Sequence, residues 1–221
     1  MNYKKIALPL LAISFASLVI SSCKDDDDDN NTTPTPIVYD NYSQLKVGNY
    51  WIYQQYEVDS LGNGNPTSVY DSCYVEKDTL INNKIYFKVY RPQPASPQFD
   101  FVYLRDSLHY TVDPGGRIVF SSLDFGTVFY DHYMFSGPDT IYRLTEKMAD
   151  YNLVVATPGG NFTTSNFKKN YQMFGNMAYY GVNRVMNTRY AKNVGMVTET
   201  LLFFTTQTTY KERRLVSYHL N

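Results

Sequence analysis

The sequence predicts a mainly β protein: one large antiparallel sheet curved into a half-barrel or a closed barrel, with one or two short helices. Three observations predict it. Short runs of aromatic and β-branched residues recur along the chain, turn signals separate them, and sustained 3.6-residue periodicity is scarce. Tyrosine, 22 of 221 residues, fits such a sheet, because its ring packs on a strand while its hydroxyl reaches water.

The first forty residues belong to another kind of segment. Lys4 and Lys5 precede an uncharged, mostly apolar stretch from Ile6 to Ile20, too short for an ordinary membrane span and followed by small residues, the layout of a cleaved export signal. The run Val19-Ile20-Ser21-Ser22-Cys23 resembles a lipobox, which implies cleavage after Ser22 and acylation of the Cys23 sulfur. One acyl chain holds a protein marginally and two or three hold it firmly. Lys24, Asp25 to Asp29 and the Asn/Thr/Pro run to Pro36 cannot bury enough apolar surface to offset the entropy of ordering, so they read as a solvated tether. The expected organisation is therefore residues 1–22 as signal peptide, 23–40 as lipidated cysteine and acidic tether, and 41–221 as one β-rich domain. Cys-Lys-Asp-Asp at the head of the tether also resembles the export signal of Bacteroidota surface lipoproteins, which implies an outer-membrane address facing the cell exterior.

Within the domain, Val47 to Asp59 alternates, with Trp51, Tyr53 and Gln55 on one face and Tyr50, Ile52, Gln54, Tyr56 and Val58 on the other. Gly62 to Asn65 marks a turn, and Ser68 to Glu76 the returning strand. Asn82 and Asn83 precede a third strand, Lys84 to Arg91, which Pro92, Pro94 and Pro97 end. Further strands are expected at Phe99 to Leu104, Leu108 to Val112, Arg117 to Phe120, Ile141 to Thr145, Leu153 to Ala156, Phe162 to Phe167, Arg184 to Tyr190, Val197 to Phe204 and Arg214 to Leu220. The short helices are expected near Glu146 to Tyr151 and Tyr171 to Ala178.

Charge and motifs narrow the function. Removal of residues 1–22 leaves 18 basic and 21 acidic side chains, five of the acids in the run Asp25 to Asp29, so no basic surface argues for a nucleic-acid partner. With Cys23 committed to lipid, Cys73 has no disulfide partner and reads as a small buried hydrophobe. The histidines, at 109, 132 and 219, lack the close spacing of a local metal site. Asp131-His132 is the one acid-histidine neighbour, and adjacent residues in a strand point to opposite faces, so a surface pair is expected. Asp71 and Glu76 are carboxylates that could in principle flank a glycosidic bond. No Gly-x-Ser-x-Gly or phosphate loop is present. The expectation is a protein without cofactor or catalytic residues. It binds a ligand or partner, such as a glycan; the alternatives are a carrier of an apolar, lipid-like ligand and an assembly component of the cell envelope.

Three segments resemble a family of bacterial exported outer-membrane lipoproteins with a β-rich domain. Leu45 to Tyr53 is similar to its opening strand, with tryptophan and tyrosine two residues apart. Val155 to Phe162 is similar to its Val-Pro-Ala-Gly-Thr-Phe turn, although Thr157 precedes the proline and Gly159 replaces alanine. Tyr190 to Val197 is similar to its Tyr-Ala-Pro-Gly-Val-Gly-Leu-Val segment, with Lys192 and Asn193 in place of proline and glycine. The resemblance implies the β fold and the lipid-anchored address, and brings no activity or site with it.

Overall fold

The structure, a computed structural model, describes residues 37–93, 98, 100–201 and 209–221. The signal peptide, Cys23 and the acidic run lie outside the described residues, as do Pro94, Pro97, Phe99 and residues 202–204 of the expected strands. The compact unit begins at Val38, three residues before the expected boundary.

Twelve antiparallel strands form one sheet: β1 (Tyr50–Val58), β2 (Gly64–Ile81), β3 (Lys84–Tyr90), β4 (Phe101–Ser107), β5 (Tyr110–Val112), β6 (Ile118–Ser121), β7 (Val128–Ser136), β8 (Asp139–Thr157), β9 (Gly160–Met173), β10 (Asn183–Ala191), β11 (Gly195–Thr200) and β12 (Tyr210–His219). Their spatial order is β6-β5-β4-β3-β2-β1-β12-β11-β10-β9-β8-β7. The sheet curves almost into a closed barrel, with β6 and β7 as its edges. Every neighbour follows in sequence except β1 and β12, which pair in the middle of the wall from Tyr50↔His219 to Val58↔Tyr210.

Alternation decides which side chains fill the interior. On β1 the face of Trp51, Tyr53 and Gln55 is the buried one, and Val58, expected on the opposite face, is buried as well. Trp51 and Tyr53 join Cys73 and Val75 of β2, Val89 of β3, Met196 and Val197 of β11 and Leu215 of β12 around one core. A second cluster gathers Phe120, Met148 and Phe167, and a third Leu144, Tyr171 and Met173.

Two expected helices are not α-helices. Glu146 to Tyr151 lies inside β8, where Glu146 and Met148 face inward. Asp150 and Asn152 adopt positive φ, 49° and 60°, at a register shift between Ala149 and Leu153; that bulge breaks the two-residue rhythm. Tyr171 to Ala178 divides into the end of β9 and a 3-10 helix, Gly175–Tyr180. A strand absent from the sequence reading, β7, runs along the free edge.

Before β1 the chain follows the barrel rim. Tyr42 packs on Phe120, 5.0 Å between ring centroids. Ser43 Oγ donates to Asp106 Oδ2 at 2.6 Å, and Asn193 N donates to the Asn41 carbonyl at 2.8 Å. On the same rim the turn between β10 and β11 closes on Trp51, whose Nε1 donates to the Val194 carbonyl at 2.6 Å.

Candidate functional site

Inside the barrel a cleft of about 450 Å³ opens between β3, β4, the β5–β6 turn and β8 to β11. Leu104, Phe167, Tyr171, Met186 and Tyr190 give it apolar and aromatic walls, and two ionic clusters give it polar ones.

The first cluster is built by strand register. Arg213 of β12 stands opposite Gln55 on one side and Glu199 of β11 on the other. Arg213 Nε donates to Glu199 Oε2 at 2.8 Å, and Arg91, just past β3, donates from Nε to the same oxygen at 3.0 Å. Arg213 also lies 3.7 Å from Asp71 of β2, whose carboxylate accepts from Gln55 Nε2 at 2.9 and 3.0 Å. Two guanidinium groups thus meet two carboxylates. Burial alone would raise the Glu199 pKa, but Arg213 and Arg91 overcome it and hold the carboxyl at about 2.

The second cluster pairs Glu146 of β8 with its register partner Lys169 of β9, Nζ to Oε1 3.4 Å. Arg117, in the turn before β6, donates from Nε to Glu146 Oε2 at 2.9 Å and brings a terminal nitrogen within 2.6 Å of Oε1. Oε1 is in ion-pair contact with both cations, yet neither meets hydrogen-bond geometry there. Arg117 lies over the Tyr130 ring, 4.0 Å from its centroid. Asp113, also in the wall, accepts from the Arg117 backbone N–H at 2.9 Å. The cleft thus offers fixed donors of both Arg and Lys type, with each glutamate already held by cations.

The residues singled out from sequence fall elsewhere. Cys73 is buried, and burial pushes its thiol up to about 11, the chemistry of an inert core cysteine. It borders a separate, apolar hole of about 40 Å³ beneath Leu45. Asp71 faces inward and Glu76 outward, where Glu76 pairs with Lys88 at 2.8 Å; they cannot flank one bond. Asp131 is bound by Arg143, at 2.8 and 2.5 Å, not by His132. His109 lies against Tyr39 on the rim and His219 against Tyr50 on the outer face. Among the described residues no group of three or more His, Cys, Asp or Glu could hold a metal ion. The cleft's six ionic lining residues, Arg91, Asp113, Arg117, Glu146, Lys169 and Glu199, and the buried Arg213 behind Glu199, were not identified from sequence. The readable signal was a charge at an inward position, Glu199 two residues from Val197 and Arg213 two from Leu215.

No family model and no curated protein matches the chain. Two solved structures resemble it. One is a lipoprotein candidate from Parabacteroides distasonis, with TM-score 0.39 and 12% identity over 83% of this chain and 100% of that one. The other is a candidate exported protein with a YmcC-like fold from Bacteroides fragilis, with TM-score 0.36 and 10% identity over 81% of this chain and 99% of that one.

Proposed function

We propose that the protein is an exported, lipid-anchored binding module, held through Cys23 in the outer membrane and facing the cell exterior. It takes a small amphipathic ligand in the barrel cleft and does no chemistry on it. The observation that carries this reading is the cleft itself, whose size suits a small ligand and whose aromatic walls stand beside fixed charged donors. Aromatic faces stack on a flat or ring-shaped body, and Arg91, Arg117 and Lys169 bind its polar groups. A sugar fits that description. The lipobox supports the anchor, and the lysine and acidic residues after it support the outward address. Against catalysis stands Glu199, whose carboxyl Arg213 and Arg91 hold at about 2, far from the range that suits a general acid or base at neutral pH.

The test is a thermal-shift screen of the full chain against glycans and polar aromatic metabolites, with Met186→Trp as the variant that fills the cleft. A ligand should raise the melting temperature of the natural chain by a few degrees and leave the filled variant unmoved. Conversion of the ligand to a product, or an equal shift in both chains, would sink the proposal. An envelope-assembly role is favoured by one separate observation: residues 131–136 of the β7 edge are exposed, Phe135 at 59%, and a free edge can accept a strand from a partner. Nothing of that kind favours a lipid carrier, because two ionic clusters in the wall oppose a purely apolar occupant.

A further inference from the structure

On the outer face, level with the start of β1, one aromatic side chain stands on each of five neighbouring strands. His219 of β12, Tyr50 of β1, Tyr74 of β2, Tyr90 of β3 and Phe101 of β4 occupy directly opposed positions in the register. Ring centroids are 5.5 Å apart for His219 and Tyr50, 5.0 Å for Tyr74 and Tyr90, and 5.1 Å for Tyr90 and Phe101. Tyr50, Tyr74 and Phe101 remain 37 to 44% exposed. An open groove of about 590 Å³ runs beside them, lined by Val47, Ile52, Tyr50 and Tyr74. Lys88 and Glu76, which border the row, pair with each other, and Lys88 sits over Phe101, 3.8 Å from its centroid. The row is therefore a neutral belt about 20 Å wide at ordinary strand spacing.

We infer that this belt is the face on which the domain rests against the headgroup layer of its bilayer. Tyrosine and histidine rings with an apolar body and a polar edge suit that layer, where one end of the ring is dry and the other wet. The inference rests on acylation of Cys23. From Cys23 to Val38 is fifteen residues, a reach of at most about 50 Å. Val38, 89% exposed, and Val47, 44% exposed, belong to the segment that follows the rim into β1 and the belt. A face tethered this closely meets the surface at millimolar effective concentration, so a belt too weak to bind alone still sets orientation. A flat stacking platform for sugars fits the row less well, because its neighbouring rings are tilted by 23°, 31° and 55°.

The experiment uses the full lipidated chain in phosphatidylcholine vesicles with brominated acyl chains. Tyr74→Trp places a reporter in the belt, and Tyr179→Trp places one in the 3-10 segment at the opposite end of β10; the buried Trp51 contributes the same background to both. The belt reporter should be quenched at least twofold more and emit at shorter wavelength. Equal quenching in a chain that floats with the vesicles overturns the inference and leaves the anchor standing. A chain that does not float removes the anchor, and the inference with it. A blue shift at the belt reporter with soluble oligosaccharide, without lipid quenching, would make the row a sugar surface and overturn the inference.

Discussion

Replacing Glu199 with glutamine leaves the buried Arg213 guanidinium and the partly buried Arg91 guanidinium facing one neutral amide. Removing one partner from a buried ionic group typically costs about 3–5 kcal/mol. Glu199→Gln should lower the urea midpoint accordingly, while a substitution at an exposed position such as Glu57→Gln should not. The same carboxylate sets an acid limit. Its folded pKa of about 2 lies below the unfolded value near 4.3, so its contribution is complete above that value and is lost as pH falls towards 2. The loss, about 3 kcal/mol for a shift of this size, should appear as a falling urea midpoint below pH 4.5, and Glu199→Gln should flatten that fall. Gly195 makes a separate test at this scale. Its φ is +101°, and a Cβ there would lie 2.9 Å from Trp51 Nε1. Gly195→Ala should cost about 1–3 kcal/mol and red-shift the emission of Trp51. Residues such as Trp51 and Tyr53 were legible because alternation puts apolar groups inward. Arg213 and Glu199 were not, because the same rule reads a charge as outward until a partner strand is known.

The β8–β9 hairpin shows why elements are harder to read than residues. Its tip reaches past the β10–β11 turn to β12, where Gly159 N donates to the Leu215 carbonyl at 2.9 Å. A Cβ at Gly159 would stand 3.0 Å from the Val216 carbonyl oxygen, a backbone atom with little freedom to retreat. Gly159→Val should release the tip and raise amide hydrogen exchange across residues 153–163, with little change in β1–β3. The sequence suggested two short strands and a helix where one 19-residue strand runs. The left-handed turns at Asp150 and Asn152 reset its inward face partway along. The β7 strand escaped notice for the opposite reason. Both faces of its outer half meet water, so no burial imposes a two-residue pattern on Asp131 to Ser136.

Across the whole molecule the wall is inverted relative to a membrane-spanning barrel, which carries an unbroken apolar band outside. Here the apolar rows face in, and Glu57, Lys77, Asp78, Lys84 and Lys211 are exposed to solvent. Attachment to a bilayer would then fall to Cys23: Cys23→Ser should abolish incorporation of labelled palmitate and move the protein from the detergent phase to the aqueous phase. The class of fold was legible because strand rhythm and turn residues are local. The closing pair was not, because nothing within ten residues of Tyr50 or His219 announces the other. That pair has a consequence for biogenesis. The strand made first lies hydrogen-bonded to the strand made last of the twelve, so the sheet gains its central seam only when the final one emerges. A polypeptide delivered N-terminus first therefore joins the two halves of this wall only after its last strand has been delivered.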